Sequence, residues 1–383
     1  MIRTAFVGAR ILAGSAFLER HAVIVQGGLI EAILPETAIP GSVEITRLAG
    51  GDLLPGFIDC QVNGGAGVLF NDSPSVEGIA AIGAAHRRFG TTGFFPTLIS
   101  DDLAVVDQGI DAVDKAIARG IPGVLGLHLE GPYLNSSKAG IHDRAHIRRL
   151  EDPDIDRLLR LRRGKTIITL APECVSSGTI QKLTGKGAIV CAGHTAATYS
   201  EIQAALGEGL RGFTHLFNAM SPFTSREPGV VGAALNDSNS WCGLIADLHH
   251  VHPASISVAL RAKPIEKFFL VTDAMPTVGW TRSRFVLGET PITESGGRLT
   301  GPDGTLAGAH LDMAGAVRNM MRAVAVAPKD AVMMASASPA AFLGMGDRRG
   351  RIAPGLAADF VHVNQCSPDG MDVLATWIGG VRG

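Results

Sequence analysis

The sequence predicts an α/β fold: a (β/α)8 TIM-like barrel beside a small β-sandwich domain built from both chain ends. Three observations carry this. Eight short apolar runs alternate with helix-length stretches through the middle of the chain. Strand-like text with tight turns fills residues 1–52 and returns at 348–383. The composition, 46% hydrophobic with 48 Gly among 383 residues, supplies both a large core and the turns a barrel needs.

At the N-terminus, residues 4–7, 10–12, 22–26 and 29–34 read as strands. Gln26-Gly27-Gly28-Leu29 reads as a hairpin turn, because two adjacent glycines suit the positive φ angles of a two-residue loop. The barrel strands are expected at 56–60, 93–98, 124–129, 166–171, 188–192, 212–216, 242–247 and 268–272. Each is a continuous apolar run, as strands covered on both faces require. Helices are expected at 76–89, 103–119, 154–163 and 199–208, each followed by glycine, a common helix stop. Thr198-Tyr199-Ser200-Glu201 has the capping-box pattern, and Pro253 suits the first turn of a further helix. A polar, Gly-rich stretch at 279–308 precedes helices at 313–326 and 329–343. Strand-like text then resumes at 350–355 and 358–363. The expected domains are 1–52 and 348–383, the two parts of the β-sandwich, and 53–347, the catalytic barrel.

Composition also excludes. The net charge is −2 and no basic block is present, so nucleic acid is not an expected partner. Mean hydropathy is high at +0.23. Even so, no run reaches the ~18 apolar residues of a membrane span. The nearest, 331–346, is broken by Ser336, Ser338 and Pro339. The five cysteines are odd in number and lack a CxxC pair, which points to a reducing, cytoplasmic setting without a disulfide framework. The apolar run at 11–18 is too short for a secretory signal and leads into Glu19-Arg20-His21.

Barrel chemistry sits where strands end. There the sequence places Asp59 and Gln61, Glu130, His194, His215, His250 and Asp273. Glu130, His194 and His215 form a two-imidazole, one-carboxylate set that suits Zn2+ or Fe2+ with a position open to water. Their separations of 64 and 21 residues make no local motif, and any one alone would more often be a satisfied polar group. Their shared position at strand ends of one barrel makes the functional reading the stronger. Asp273 could cap a turn. Its functional reading is a general base that takes a proton from a water acidified by the metal, and later gives it to the leaving group. Arg226 and His250 are candidates for an anionic group, with a surface ion pair as the plain alternative for Arg226. Asn63-Gly64-Gly65-Ala66-Gly67 is by itself a turn signal. Of His249-His250-Val251-His252, only His250 and His252 would share a face of an extended segment.

Leu54-Pro55-Gly56-Phe57-Ile58-Asp59 followed by Asn63-Gly64 resembles the barrel opening of the amidohydrolase superfamily. Four further segments sharpen the resemblance: His128-Leu129-Glu130-Gly131-Pro132, Ala192-Gly193-His194-Thr195, Thr214-His215-Leu216-Phe217-Asn218-Ala219-Met220 and Leu270-Val271-Thr272-Asp273-Ala274. With Leu306-Ala307-Gly308, they make nearly the whole chain similar to the N-acetylglucosamine-6-phosphate deacetylase family. The resemblance implies hydrolysis of the acetamide of a phosphorylated amino sugar, in amino-sugar catabolism. It implies one divalent metal per subunit, zinc or another such as Fe2+, on Glu130, His194 and His215. It further implies Asp273 as base and acid, and His142 as the group that helps polarise the carbonyl. Asn218 and Ala219, with Arg226 and His250, would bind the sugar phosphate. One phosphate contact would come from a neighbouring subunit, hence a homodimer.

Two departures stand out. Where many superfamily members carry His-x-His and bind two metals, this chain has Asp59 and Gln61. No bridging lysine is evident, since Lys165 precedes its strand. One metal is therefore expected, with Gln61 near the reacting water. His310 occupies a position usually small or apolar, and would either alter the sugar pocket or face solvent. The competing readings are another amidohydrolase, acting on a different N-acyl sugar or a cyclic amide, and a non-catalytic relative that uses the barrel as an interaction module. The retention of Glu130, His194, His215 and Asp273 together argues against the latter.

Overall fold

The computed structural model describes residues 2–383. An eight-stranded sheet runs in simple chain order through Phe57–Val62, Thr91–Leu98, Gly126–Glu130, Lys165–Leu170, Ile189–Ala192, Gly212–Phe213, Trp241–Ile245 and Phe268–Val271. Every pairing within it is parallel. It closes where the last strand meets the first: Asp273 N–H donates to Gln61 C=O at 3.0 Å, and Asn63 N–H to Ala274 C=O at 2.9 Å. All eight anticipated runs lie in this barrel. The sixth strand is only two residues long. The chain leaves the extended conformation at His215, whose φ is +34°, and so turns that side chain into the barrel mouth.

The helices Val76–Arg87, Leu103–Ala118 and Tyr199–Gly207 form just ahead of the glycines Gly90, Gly120 and Gly209, and Pro253–Ala262 and Met313–Ala323 form as well. Ser75, Thr198 and Asp312 each accept a backbone N–H at the helix start. Four features differ from expectation. Short helices at Thr179–Gly185 and Gly229–Asn236 carry too few turns to show periodicity. The helix expected at 154–163 is Asp152–Leu158. The single helix expected at 329–343 is two, Pro328–Ala335 and Ala337–Phe342. They break at Ser336 (φ −137°, ψ −74°), three residues before Pro339, whose ring cannot sit against a continuous helical turn. The Gly-rich stretch, for which no element was expected, forms a four-stranded antiparallel sheet, Arg284–Leu287, Thr290–Ser295, Arg298–Thr300 and Leu306–Ala309. Its glycines supply the turns, Gly296 and Gly297 both at positive φ. Its apolar side, with Ile292, Leu299 and Ala307, packs on Leu69 and Met275 beside the barrel mouth.

The chain ends build two further sheets. One runs Leu29–Pro35, His21–Gln26, Arg3–Val7, Glu44–Arg47. The other runs Val381–Arg382, Val373–Ile378, Phe360–Val363, Asp52–Pro55, Arg10–Ala13, Ala16–Leu18. The hairpin of His21–Gln26 and Leu29–Pro35 turns at Gly27 and Gly28, both at positive φ, as expected. Residues 350–355 form no strand. Phe6, Val23, Leu53, Phe360 and Trp377 share one core between the sheets. Asp52, fully buried, receives Arg10 through two bonds of 2.7 and 2.9 Å and the Cys366 N–H at 2.7 Å, tying early and late chain together. Among the described residues no helix is long and apolar enough to cross a membrane.

Candidate active site

The C-terminal ends of the barrel strands are strained where they carry the candidate side chains. His194, His215, Phe217, Ala219, Leu248 and Asp273 all have positive φ. That costs a residue with a Cβ on the order of 1–3 kcal/mol, and such strain clusters where a site must be aimed.

Glu130, at the end of the third strand, is the hub. Its Oε1 lies 2.9 Å from His215 Nε2 and 3.4 Å from His194 Nε2, and the two imidazole nitrogens are 3.1 Å apart. All three are buried. Burial alone would raise the Glu130 carboxyl, but the hydrogen bonds and charges of His194 and His215 outweigh it and hold it well below the usual range. His194 Nδ1–H donates to Lys138 C=O at 2.8 Å, which leaves the Nε2 lone pair facing the cluster. Three electron-pair donors thus converge within 4.8 Å of one another. That donor set fits a divalent cation with a position left for water or substrate. Among the described residues no other His, Cys or carboxylate joins them.

The two positions where a His-x-His pair would stand do something else. Gln61 Nε2 donates to both Glu130 oxygens at 3.0 Å and to Asp273 Oδ1 at 3.1 Å. Asp59 is turned to Thr272, accepting its hydroxyl at 2.5 Å and its N–H at 3.2 Å, and burial pushes its carboxyl up to about 7. Asn63 Nδ2 donates to Asp273 Oδ1 at 2.6 Å. Burial and then the Glu130 charge push Asp273 up to about 6.

His142 arrives from the loop after the third strand, its Nε2 4.0 Å from Glu130 Oε2. Burial pushes this ring down to about 3, so it is neutral. His250 donates from Nδ1 to Asp247 Oδ2 at 2.6 Å, while the other Asp247 oxygen accepts the N–H groups of His249 and His250.

One cleft of about 240 Å³ is lined by Glu130, His142, His194, His215, His250 and Asp273, together with Asn218 and Ala219. Gln61 lies beneath these groups, 1% exposed. Arg226 is not brought to this cleft. Its neighbour Glu227 accepts the N–H groups of Tyr199 and Gly229, at 2.8 and 2.9 Å, and both Arg226 and Glu227 are exposed, outside the cleft lining. His310 is exposed and bonded to Thr277 at 2.9 Å, away from the cleft lining. His252 caps the helix Pro253–Ala262 through Nδ1. Sequence reading missed Ser100 and Ile99, which follow the second strand and adjoin His142. Their signal was only a position at a strand end, without a residue type that announces chemistry.

Barrel, strand-end cluster and cleft define a hydrolase of the amidohydrolase type, and the chain belongs to the amidohydrolase family, whose model matches residues 53–382. Residues 5–53 match the NagA composite domain. The chain is 41% identical to the N-acetylgalactosamine-6-phosphate deacetylase of Shewanella sp. (strain ANA-3), over 97% of this chain and 94% of the relative. It is 36% identical to the N-acetylglucosamine-6-phosphate deacetylase of Bos taurus, over 98% and 94%. The crystal structure of N-acetylglucosamine-6-phosphate deacetylase from Pasteurella multocida superposes with a TM-score of 0.95 at 33% identity, covering 100% of both chains.

Proposed function

We propose that the chain hydrolyses the acetamide of N-acetylglucosamine 6-phosphate to glucosamine 6-phosphate and acetate. The observation that carries this is the meeting, in one cleft, of Asp273 and the His142 Nε2 edge around the Glu130–His194–His215 cluster. A divalent cation held by those three residues, zinc in this reading, supplies Lewis-acid polarisation of the acetamide carbonyl and lowers the pKa of a water. Asp273 accepts the water's proton as the water oxygen bonds to the acetamide carbon. Its Oδ1 is engaged by Asn63 and Gln61, so Oδ2 is the oxygen with which it does so. His142 donates from Nε2 to the carbonyl oxygen as charge builds there. Asp273 then passes its proton to the nitrogen as the C–N bond breaks.

His250, held by Asp247, takes the phosphate with Asn218 and Ala219 nearby. Arg226, exposed and outside its own cleft, fits a contact to the phosphate in a second copy, which makes a homodimer part of the proposal. Residues 1–52 and 348–383 are read as one small domain and 53–347 as the catalytic one. Five free cysteines fit a cytoplasmic setting.

The 41% identity to an N-acetylgalactosamine-6-phosphate deacetylase favours a second reading, in which the sugar is the C4 epimer. The test is acetate release from both phosphorylated sugars and from plain N-acetylglucosamine, with elemental analysis of the protein used. Release from neither phosphorylated sugar removes the proposal. Preference for the galacto sugar selects the second reading. Equal turnover of plain sugar removes the phosphate assignment.

A further inference from the structure

Ser100 lies two residues past the second barrel strand and is 5% exposed. Its backbone N–H donates to His142 Nδ1 at 3.1 Å, and its hydroxyl oxygen is 2.8 Å from the same nitrogen. A backbone amide can only donate, so Nδ1 presents its lone pair there. The hydroxyl, meeting the same lone pair, donates as well. The ring proton of neutral His142 must then sit on Nε2, the nitrogen that faces the Glu130 cluster.

Neighbouring elements hold Ser100 in this place. Asn71 grips the preceding residue from both sides: its Nδ2 donates to Ile99 C=O and its Oδ1 accepts the Ile99 N–H, each at 3.1 Å. On the other flank is Gly131, directly after Glu130, with φ of +88°. A Cβ at Gly131 would stand 2.4 Å from Ser100 Oγ, so only glycine leaves room for the hydroxyl. The groove that seats the hydroxyl is thus built by the residue that follows the hub of the cluster.

We propose that Ser100 is a positioning residue: it fixes His142 as the Nε2–H tautomer, so that a donor and not a lone pair meets the substrate carbonyl oxygen. The opposite tautomer would point Nδ1–H at the Ser100 N–H, and its Nε2 lone pair would repel both Glu130 and the carbonyl. The kinetic consequence rests on the proposed role of His142; the tautomer itself does not.

Two measurements test this on the zinc-loaded full chain. Long-range 1H–15N correlation of histidine-labelled protein, with His142 assigned by loss of its signals in His142→Gln, should show Nδ1 unprotonated and Nε2 protonated. The reverse pattern in the wild type overturns the proposal. In kinetics, Ser100→Ala keeps the amide but loses the closer donor. kcat should fall about fivefold, the worth of one hydrogen bond, with KM within about twofold. Ser100→Thr should restore kcat. Unchanged kcat in Ser100→Ala, or a matching loss in folded Ser100→Thr, overturns the proposal. If the wild type releases no acetate, the deacetylase reading fails and the spectrum still decides the tautomer.

Discussion

Asn63 donates from Nδ2 to Asp273 Oδ1 at 2.6 Å, across the seam where the first barrel strand meets the eighth. The same seam carries the hydrogen bonds that close the barrel, so the fold and the orientation of the candidate base are one structural event. Asp273→Asn keeps the size of the side chain and removes its basicity. kcat should fall by a factor on the order of 10²–10⁴, the range for a lost general acid–base. Metal content by elemental analysis should stay unchanged. Near-normal turnover would remove Asp273 from the chemistry.

The acid limb of kcat/KM should follow the same carboxyl. Burial and the Glu130 charge push Asp273 up to about 6. A base works ionised, so activity is full above that value and lost as pH falls through it. A bound cation adds positive charge and moves the midpoint below 6. Asn63→Leu removes a bond to the charged form, so its midpoint should move to higher pH. A midpoint shift in the other direction contradicts this account of the pair.

His194→Ala should lower metal stoichiometry, because only Glu130 and His215 remain to hold the ion. Thermal melts give a second readout. A ligand that binds only the native state at a hundred times its Kd adds about 2.7 kcal/mol. Zinc should therefore raise the wild-type Tm and leave that of the variant nearly unmoved. Equal stoichiometry and equal shifts would reject the assignment.

Arg226→Ala should raise KM for the phosphorylated sugar far more than for the plain one. The side chain is exposed and outside its own cleft, so the effect requires a second copy. Sedimentation of the wild type should accordingly show a dimer. Equal KM changes for both sugars would place Arg226 outside phosphate binding.

Stability should depend on pH through His86, a buried ring that plays no part in the cleft. Its Nε2–H donates to Gly64 C=O at 2.9 Å. Burial pushes it down to about 4, from 6.5 in the unfolded chain. The folded state therefore binds its proton less readily than the unfolded one. The stability this confers is whole above pH 6.5 and is lost as pH falls toward 4, by up to roughly 3 kcal/mol. His86→Gln can keep the bond without titrating. Its urea midpoint should decline less between pH 7.5 and 5 than the wild type's; parallel declines would clear His86 of the effect.

Much of this was legible in the chain itself. A strand buried on both faces must be apolar throughout, so the barrel strands announce themselves as runs such as Phe268–Val271. Functional groups must stand where such a run stops, which made Glu130, His194, His215 and Asp273 visible as polar tips. The antiparallel sheet at Arg284–Ala309 was not legible, because its strands are short and half-exposed and its glycines look like those of a loop. The short helix Gly229–Asn236 failed to show for the same want of length.

By itself, the sequence determined which residue types stand at strand ends, the alternation that makes a barrel, and hence the identity of the candidate ligands and base. Only the tertiary structure decided how they act on one another. Gln61 bridges Glu130 and Asp273, and Ser100 settles which nitrogen of His142 bears the proton. Lys138 does the same for His194 through its carbonyl, and Arg226 lies outside its own cleft. Residue type sets what a group can donate or accept. Distance, burial and the partner on its far side set which of those it does, and these exist only once strands remote in sequence have closed into one barrel.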